Sequence, residues 1–319
     1  MQFIDAEQIR RLSFERLIEG LRLAFRADFR APARSILSLD PLNGRDELFA
    51  LMPAWDRSSL LGAKLATVFP GNAARNRPNL HSLVILFDRQ TGAPTAVLDG
   101  TELTRRRTAA VSALAASYLA RDDARRLLIV GTGPQAITQA LAHCVVRPIE
   151  SVAIWGRDAD KAALALQALR PLLGARQLSV ARDLPEAARA SDIISCATSA
   201  TQPILEGAFI CAGTHVDLVG AFSPRARESD TALIRKSLVY ADVTTNVLDE
   251  AGDVLIPIAE GAIDEHAIVG DLHALTNKAI PGRVSSTDIT VFKSVGTAMA
   301  DVVAASCVLR HGGHANGVC

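Results

Sequence analysis

The chain has 319 residues, of which 49% are hydrophobic and 21% charged, and its 34 lysines and arginines equal its 34 acidic residues in number. This length allows two domains with separate cores, and a neutral chain without a concentrated basic face is not expected to bind nucleic acid. The N-terminus lacks the apolar core of a signal peptide, and no run reaches the roughly 18 apolar residues of a membrane span. We therefore expect a soluble, cytoplasmic protein with no membrane partner.

The five cysteines are scattered along the chain, at Cys144, Cys196, Cys211, Cys307 and Cys319. They show neither C-x-x-C spacing nor Cys/His ligand spacing, so we expect reduced, mostly buried thiols and no metal site. The last residues, 311–319, are rich in Gly and His, and we interpret them as a frayed terminus rather than a metal-binding tail.

The chain begins with two predicted helices. Asp5 and Gln8 have the spacing of a capping box at the start of a short helix. Apolar residues then recur at i, i+3, i+4 and i+7 from Phe14 to Phe29, which predicts an amphipathic helix.

After Pro32 the pattern changes to short strands. The strand-like runs are residues 34–39, 47–53, 60–67, 82–88 and 94–98. Turn signals at Asn43-Gly44 and Thr91-Gly92 separate runs, which is typical of an antiparallel sheet. Thr104 is expected to cap an Ala-rich helix that ends near Leu119.

From Arg126 onward, predicted strands and helices alternate. The strands are expected at 127–130, 151–155, 178–181, 192–196, 215–220, 237–241 and 288–292. The helices are expected at 134–143, 158–170, 184–190 and 293–310, and residues 243–282 are expected to be irregular with short helices. This alternation predicts a doubly wound parallel sheet.

A glycine-rich loop follows the first of these strands and has the sequence Gly131-Thr132-Gly133-Pro134-Gln135-Ala136. In a dinucleotide-binding βαβ unit, Gly131 would permit the tight turn, Gly133 would let the backbone approach a pyrophosphate, and Ala136 would let the helix pack on the strand. The anion would lie on free N–H groups at the helix N-terminus. We therefore expect Gly131, Gly133, Pro134, Gln135 and Ala136 to bind the cofactor.

The end of the second strand predicts which dinucleotide binds. Acidic residues at this place take the ribose 2′-OH of NAD, but here Gly156 opens space and Arg157 offers a planar fork suited to a 2′-phosphate, with Lys161 one helical turn further on. NADP(H) is therefore the expected cofactor, although Asp158 could still reach a ribose, so NAD(H) is possible. We also expect cofactor contacts from Thr108, Ala197, Thr198, Val219 and Phe292.

The chain resembles the ornithine cyclodeaminase/mu-crystallin family over nearly its whole length. The matching stretches are Leu51-Met52-Pro53-Ala54, Leu61-Gly62-Ala63-Lys64, Asp99-Gly100 to Thr104, Arg107-Thr108-Ala109-Ala110, the Gly131–Ala136 loop, Val219-Gly220-Ala221, and Thr290-Val291-Phe292-Lys293-Ser294-Val295-Gly296. The resemblance implies a homodimer with an α+β dimerisation and substrate-binding domain at 1–120, which contains the antiparallel sheet and is completed by the C-terminal helix 293–319. A Rossmann dinucleotide-binding domain is inserted at 121–292.

The same resemblance assigns Lys64 and Arg107 as catalytic residues that bind a substrate carboxylate, with Arg34 as a weaker third match. A carboxylate is held best by a bidentate guanidinium and a second cation. Arg105 and Arg106 adjoin Arg107, but neighbouring residues point about 100° apart on a helix, so not all three can face one pocket. A desolvated Lys64 would titrate at lower pH and could donate a proton.

Two departures from the cyclodeaminase branch of the family bear on the reaction. That branch has an acidic catalytic residue just after its Val-Gly-Gly-like strand end, where this chain has Phe222. An acidic residue shortly before the Met-Pro pair, which that branch uses for the amino group, is also missing, since the local sequence is Phe49-Ala50-Leu51-Met52. A phenyl ring cannot accept the protons released in cyclodeamination, so ornithine cyclodeaminase activity is not expected. Glu228 and Asp230 lie nearby and are interpreted as structural.

The remaining pattern resembles the NADPH-dependent ketimine reductases of the family, which belong to amino acid metabolism. These reduce Δ1-pyrroline-2-carboxylate or Δ1-piperideine-2-carboxylate to proline or pipecolate. The expected mechanism holds the imino acid carboxylate on Arg107 and Lys64, protonates the imine nitrogen and adds a hydride at C2. Lys64, His81 and a bound water are alternative proton donors.

Two other functions stay open at the level of sequence. One is an alanine-dehydrogenase-like amination of an open-chain 2-oxo acid, which needs a pocket for the amino group. The other is a non-enzymatic, NADPH-dependent ligand-binding protein of the mu-crystallin type.

Overall fold

The structure is a computed structural model that describes residues 1–39, 47–75 and 77–312. The chain divides into two compact units: unit 1 contains Met1–Arg107 and the chain from Thr297 onward, and unit 2 is Thr108–Gly296. The sequence placed the boundaries at 120/121 and 292/293, whereas the first division falls inside a helix. No helix in the described ranges is long and apolar enough to cross a membrane.

The regular elements are numbered in chain order. The strands are β1 (Gln2–Ile4), β2 (Ser35–Leu39), β3 (Glu47–Trp55), β4 (Leu61–Val68), β5 (Leu80–Phe87), β6 (Pro94–Asp99), β7 (Arg126–Val130), β8 (Ser151–Trp155), β9 (Gln177–Val180), β10 (Ile193–Cys196), β11 (His215–Leu218), β12 (Leu238–Ala241), β13 (Ile268–Asp271) and β14 (Thr290–Lys293). The α-helices are α1 (Ala6–Arg10), α2 (Phe14–Arg26), α3 (Gly100–Leu119), α4 (Pro134–Val146), α5 (Ala159–Leu169), α6 (Leu184–Arg189), α7 (Thr231–Arg235), α8 (Thr244–Glu250), α9 (Gly252–Ala259), α10 (Leu272–Thr276) and α11 (Ala298–Gly312). Short 3₁₀ helices lie at Pro70–Arg75, Gly207–Phe209 and Glu265–Ala267.

Unit 1 contains, in its described residues, a six-stranded sheet with the order β1-β6-β5-β4-β3-β2. Strands β2 to β6 pair antiparallel, as the sequence predicted. The edge strand β1 was not predicted and pairs parallel with β6, because three residues are too few to show an alternating pattern. The turn at Thr91-Gly92 is present, with a positive φ at Gly92, whereas the predicted turn at Asn43-Gly44 lies outside the described residues.

Helix α11 covers one face of this sheet. It packs on β3, β4 and β5 and against α2. Along β4 the buried residues alternate as Gly62, Lys64 and Ala66, so these three residues face the same side of the sheet. A Cβ built on Gly62 would lie 3.1 Å from a methyl carbon of Val302 in α11. Lys64 therefore points to the helical side of the sheet.

The helix starts of unit 1 confirm one predicted cap and correct another. Both hydrogen bonds of the capping box between Asp5 and Gln8 are present at α1. Thr104 is not an N-cap, because α3 already begins at Gly100, where the Asp99 side chain accepts a hydrogen bond from the backbone N–H of Glu102. Thr104 lies one turn inside the helix and donates its hydroxyl to the carbonyl of Gly100.

Unit 2, all of whose residues are described, contains an eight-stranded parallel sheet with the order β13-β12-β14-β11-β10-β7-β8-β9. The chain runs from β7 outward to β9 and then returns to β10 on the other side of β7. Leu128 and Val130 belong to one buried core cluster, and Leu127 and Ile129 to another. Since alternate residues of a strand face opposite sides, both faces of β7 are covered. The expected doubly wound Rossmann-type sheet is confirmed.

Two differences from the prediction concern the last part of unit 2. The edge strand β13 was not predicted, since its four residues include a glycine and a terminal aspartate. The final helix was expected to follow directly on the last strand at residue 293, but Lys293 is still in β14 and α11 begins only at Ala298. Gly296, with a φ of 88°, lies between the two elements.

Candidate functional site

The glycine-rich loop has the backbone that a dinucleotide site requires. Gly131 has a φ of 136°, and a Cβ at this position would lie 2.5 Å from the carbonyl oxygen of Ala197. A side chain is therefore excluded both by the backbone conformation and by the neighbouring loop. Gly131 also donates its N–H to the carbonyl of Trp155 at 2.9 Å, which fixes the turn against the end of β8.

The start of α4 is open to an anion. Gly133 is the N-cap, no side chain caps the helix, and Pro134 occupies the first turn. A Cβ on Gly133 would meet no atom within 4 Å, so the space beside this backbone is empty of protein. Gln135 follows in the first turn, and Ala136 is fully buried in the core. An uncapped helix N-terminus beside free space fits the pyrophosphate of a dinucleotide.

The position of the loop in the sheet supports the same interpretation. The strand order reverses between β7 and β10, and ligands of doubly wound sheets bind where the order reverses, at the carboxyl ends of the strands. Ala197 and Thr198 directly follow β10, and Val219 follows β11. These three predicted cofactor residues therefore lie at the edge of the sheet where the ligands of doubly wound sheets bind.

Two further predicted cofactor residues lie elsewhere in unit 2. Phe292 is fully buried in β14, between β11 and β12, so its ring is part of the core and presents no exposed surface to a ligand. Thr108 is half-buried on α3, where unit 2 begins.

At the end of β8, the positively charged side chain of Arg157 is available for a ligand. A Cβ on Gly156 would lie 2.3 Å from a methyl carbon of Thr132, so a larger residue here would require the Thr132 side chain to move. Asp158 caps α5 by accepting from the backbone N–H groups of Asp160 and Lys161, and the Lys161 ammonium lies 3.8 Å from the same carboxylate. Arg157 is exposed and donates no hydrogen bond to any described residue.

A buried carboxylate links two loops at this edge of the sheet. Oε1 of Glu228 accepts from the backbone N–H and the hydroxyl of Thr198 at 2.7 and 2.8 Å, and Oε2 accepts from the N–H of Gly220 at 2.6 Å. Burial raises the pKa of Glu228 to about 7, although the positive charge of Lys293 opposes this shift. Lys293 donates to Asp253, which also accepts from the N–H of Glu228. These bonds fix the loops after β10 and β11.

Unit 1 contains a compact cluster of buried charges on the helical side of its sheet. Oδ1 of Asp301 accepts a hydrogen bond from Nε of Arg107 at 2.8 Å and lies 3.7 Å from Nζ of Lys64. Lys64 also donates to the hydroxyl of Thr104 at 2.7 Å. All three charged residues are at most 5% exposed. The terminal guanidinium nitrogens of Arg107 donate to no acceptor among the described residues, so they are available for an anionic ligand.

The charges around Lys64 set its protonation. Burial lowers the pKa of Lys64 to about 8, the negative charge of Asp301 raises it, and the positive charges of Arg107 and Arg34 lower it further. The half-buried Arg34 is therefore close enough to act on Lys64 electrostatically. Lys64 is therefore a cation at neutral pH, and it can release its proton at a pH only slightly above neutral.

The three consecutive arginines of α3 bind three different partners, as their angular separation requires. The Arg105 guanidinium lies 3.7 Å from Glu102. Arg106 donates to the carbonyl of Leu12 and stacks over the ring of Phe14. Among the three, only Arg107 lies beside Lys64.

The geometry of the sheet separates His81 from this cluster. Val84 pairs with Lys64 and His81 pairs with Thr67. Because residues 81 and 84 differ by an odd number along β5, His81 faces the opposite side of the sheet from Lys64. Of the proton donors left open by the sequence, the structure therefore favours Lys64 over His81.

The acidic residues near Phe222 do not restore the missing base of the cyclodeaminases. Phe222 is 64% exposed in the loop after β11. Glu228 is fully buried on backbone donors, and Asp230 caps α7 while accepting from the N–H of Gly207. Both carboxylates are structural, as the sequence predicted.

Sequence reasoning missed Asp301, Thr104 as a partner of Lys64, and the pair formed by Asp253 and Lys293. A signal for Asp301 was available, since it is the one acidic residue in the apolar run from Ala298 to Val308. An isolated carboxylate in such a run is expected to be paired.

Comparison with known proteins agrees with these observations. The sequence profile of the ornithine cyclodeaminase/mu-crystallin family matches residues 7–312. A Δ(1)-pyrroline-2-carboxylate reductase of Colwellia psychrerythraea is 41% identical over 313 residues, which cover 97% of this chain and 99% of that protein. The structure of the Thermococcus litoralis Δ(1)-pyrroline-2-carboxylate reductase in complex with NADH and L-proline has a TM-score of 0.92 at 33% identity, and covers 99% of this chain and 100% of its own. An archaeal alanine dehydrogenase dimer with bound NAD has a TM-score of 0.89 at 25% identity, with coverage of 98% and 96%.

Proposed function

The chain belongs to the ornithine cyclodeaminase/mu-crystallin family, and we propose that it reduces the C=N bond of a cyclic imine carboxylate with NAD(P)H. Its substrate is Δ1-pyrroline-2-carboxylate or Δ1-piperideine-2-carboxylate, and its product is proline or pipecolate. The observation that carries this proposal is the pairing of Lys64 with an Arg107 whose terminal nitrogens are still available. The reductases that resemble the chain support the same reaction.

The residues of unit 1 bind the substrate carboxylate. The two terminal nitrogens of Arg107 form a planar fork that matches the two carboxylate oxygens. Lys64 adds a second cation, and Arg34 contributes positive charge from the segment before β2. The carbon atom that must be reduced is C2, which is bonded to the carboxylate. Two attachment points on the carboxylate therefore fix the orientation of C2.

Lys64 is also the proposed proton donor. Its ammonium would transfer a proton to the imine nitrogen, which makes C2 electron-poor, and a pKa of about 8 suits this transfer near neutral pH. When bound, the reduced nicotinamide cofactor supplies the hydride. The carbon–nitrogen double bond thus becomes a single bond that carries one new hydrogen on each atom.

The residues of unit 2 are proposed to hold the cofactor. The backbone of Gly131 and Gly133 and the uncapped start of α4 would take the pyrophosphate. We propose that NADPH is preferred and NADH accepted, because Arg157 has its guanidinium available while the Asp158 carboxylate is engaged by two backbone N–H groups. The solved relatives contain NADH and NAD, so the test must compare both forms.

The subunit is proposed to form a homodimer through the open face of the unit 1 sheet. The residues on this side of β3, β4 and β5 form cross-strand rows, of which Leu51-Leu65-Leu83 and Pro53-Ala63-Ile85 are wholly apolar. Leu51 and Leu83 are 38% and 42% exposed. A continuous apolar face of this kind marks an interaction surface, and the alanine dehydrogenase relative is a dimer.

The cellular compartment of the protein is proposed from the state of its cysteines. Among the described cysteines, Cys144, Cys196 and Cys211 are free thiols. Free thiols are typical of a reducing compartment, and we propose the cytoplasm.

A panel of substrates tests the proposed reaction. The protein would be incubated with Δ1-pyrroline-2-carboxylate or Δ1-piperideine-2-carboxylate and NADPH or NADH, then with pyruvate, ammonia and NADH, and then with ornithine and NAD. We expect turnover with a cyclic imine. Turnover with ornithine alone would overturn the proposal, turnover only with pyruvate and ammonia would favour an alanine dehydrogenase, and cofactor binding without any turnover would favour a ligand-binding protein.

A further inference from the structure

The carboxylate of Asp301 is the only negative charge in the described cluster around Lys64 and Arg107. It lies in the first turn of α11, a helix of 15 residues, and the side chain is fully buried. The positive end of a helix stabilises an anion at this place. Its Oδ1 is shared between Nε of Arg107 and the ammonium of Lys64.

The second oxygen of Asp301 has no hydrogen-bond partner in the described part of the chain, although it is buried. A buried acceptor without a partner destabilises a protein, because it has lost its hydrogen bonds to water and gained none in return. A neutral side chain in the same helix would avoid this penalty, so packing alone does not explain an aspartate here. The carboxylate does supply one negative charge beside two buried cations.

We propose that Asp301 is the positioning residue of the substrate site: it orients Arg107 through Nε and keeps Lys64 charged. This inference rests on the proposed function, since it names the group on which carboxylate binding and proton donation depend. With Nε bound to Asp301, the guanidinium can present only its terminal nitrogens to a substrate. The bond therefore selects the end-on orientation of Arg107.

The charges that face Lys64 all come from other elements. Arg107 on α3 and Arg34 before β2 favour the neutral amine, and burial acts in the same direction. Asp301 on α11 is the group that favours the ammonium, because an opposite charge within about 4–6 Å stabilises the charged form. Without it, Lys64 would lose its proton below the pH at which it now titrates, and above that pH the site would lack both a second cation and a proton donor.

The test separates charge from orientation with two variants. Asp301→Asn keeps an oxygen acceptor for Nε of Arg107 but removes the negative charge, whereas Asp301→Ala removes both. Lysine labelled with ¹³C at Cε reports the protonation of each side chain by NMR, and the chain has only five lysines. Loss of one signal in Lys64→Arg identifies Lys64. This titration needs neither substrate nor cofactor.

For wild-type protein we expect Lys64 to titrate at a pKa of about 8. In Asp301→Asn the pKa of Lys64 should be lower by about one pH unit or more. The pH above which kcat/KM falls should decrease by the same amount. Activity relative to wild type would then fall roughly tenfold above pH 8 and little at pH 6.5. Asp301→Ala should in addition raise the KM for the imine carboxylate at every pH.

Asp192→Asn is the matched control. Asp192 also accepts hydrogen bonds from two arginines, Arg121 and Arg126, but it lies in unit 2, just before β10. Its removal should lower the thermal stability without moving the Lys64 titration. If Asp301→Asn fails to fold, Asp301→Ser removes the same charge and has the same expected titration.

An unchanged Lys64 titration in the folded Asp301 variants would overturn this inference. A loss of activity of equal size at all pH values in Asp301→Asn would also overturn it, because a purely structural role predicts that result. Failure of the proposed function would instead show as a wild-type protein that titrates as expected but reduces no imine.

Discussion

The proposed substrate chemistry depends on which nitrogens of a single guanidinium are free. Nε of Arg107 is bound to Asp301, and its terminal nitrogens donate to no described acceptor. Arg107→Lys keeps the positive charge but loses the planar fork. We expect the KM for the imine carboxylate to rise roughly 10–100-fold, which corresponds to charged hydrogen bonds of about 1.5–3 kcal/mol, and the KM for the cofactor to stay unchanged.

Arg105→Lys provides the control in steady-state kinetics. Arg105 lies on the same helix but forms its ion pair with Glu102, so its substitution should leave both constants near the wild-type values. Equal losses in the two variants would mean that the helix carries a general electrostatic effect and that Arg107 does not bind the carboxylate directly.

The proposed preference for NADPH over NADH also depends on one side chain. Arg157 is exposed and available, and a 2′-phosphate would accept two hydrogen bonds from it. Arg157→Ala should raise the KM for NADPH much more than the KM for NADH, as measured by initial rates with each cofactor. Lys161→Ala, in which the removed ammonium lies near Asp158, should have a smaller effect. Equal effects of Arg157→Ala on both cofactors would exclude a role in phosphate binding.

At the scale of elements, the loop between β7 and α4 contains two glycines with different requirements. Gly131→Ala should both destabilise the fold, by about 1–3 kcal/mol for the strained backbone, and weaken cofactor binding, because the new Cβ meets the Ala197 carbonyl. Gly133→Ala has free space in the protein. It should leave the thermal stability unchanged and still raise the cofactor KM at least about tenfold, a change of ~1.4 kcal/mol.

Thermal unfolding without cofactor and cofactor titration of the same samples check this pair. A Gly133→Ala protein that binds NADPH and NADH as tightly as wild type would show that no ligand approaches this backbone. The site of the pyrophosphate would then have to be sought elsewhere.

The elements that the sequence predicted are those whose own residues carry a strong pattern. Strand β7 is a buried apolar run followed by glycines, and α2 has an apolar stripe over several turns, so both could be identified locally. Strand β1 pairs with β6, more than ninety residues away along the chain, and β13 is a short edge strand. Such elements form because a neighbour offers free hydrogen-bonding groups, which no local pattern records.

Local sequence also misplaced the start of α3. A threonine near the start of an Ala-rich run is a good cap candidate, yet Asp99 fills that role one turn earlier. Thr104 is instead an acceptor for the Lys64 ammonium. This contact joins β4 to α3, and only the tertiary structure brings the two elements together.

At the level of the whole molecule, two chains are proposed to associate through the open face of the unit 1 sheet. Leu83→Asp places a charge at one end of the apolar row formed with Leu51 and Leu65. Burying an unpaired charge is strongly unfavourable, so we expect this variant to sediment as a monomer in analytical ultracentrifugation, whereas wild-type protein sediments as a dimer. Leu164→Asp, at a leucine of α5 that is 65% exposed, should remain dimeric. A dimeric Leu83→Asp protein would exclude this interface.

The candidate site was predicted from sequence only in part. The family resemblance and the glycine spacing singled out Lys64, Arg107 and Gly131, because these residues lie in recognisable stretches. Asp301 lies far along the chain from Arg107 and Lys64, the groups that it binds. A partner of this kind leaves no spacing signal, so its role could be inferred only once the contacts were known.

In the proposed reaction, a hydride is transferred to C2 of a cyclic imine carboxylate. To test this directly, the protein is incubated with Δ1-pyrroline-2-carboxylate and with NADPH or NADH that carries deuterium at both C4 positions. The product is then analysed by mass spectrometry and NMR. We expect proline with a single deuterium, bonded to C2. Proline without deuterium, or no proline from the imine while ornithine is deaminated, would contradict the proposed reaction.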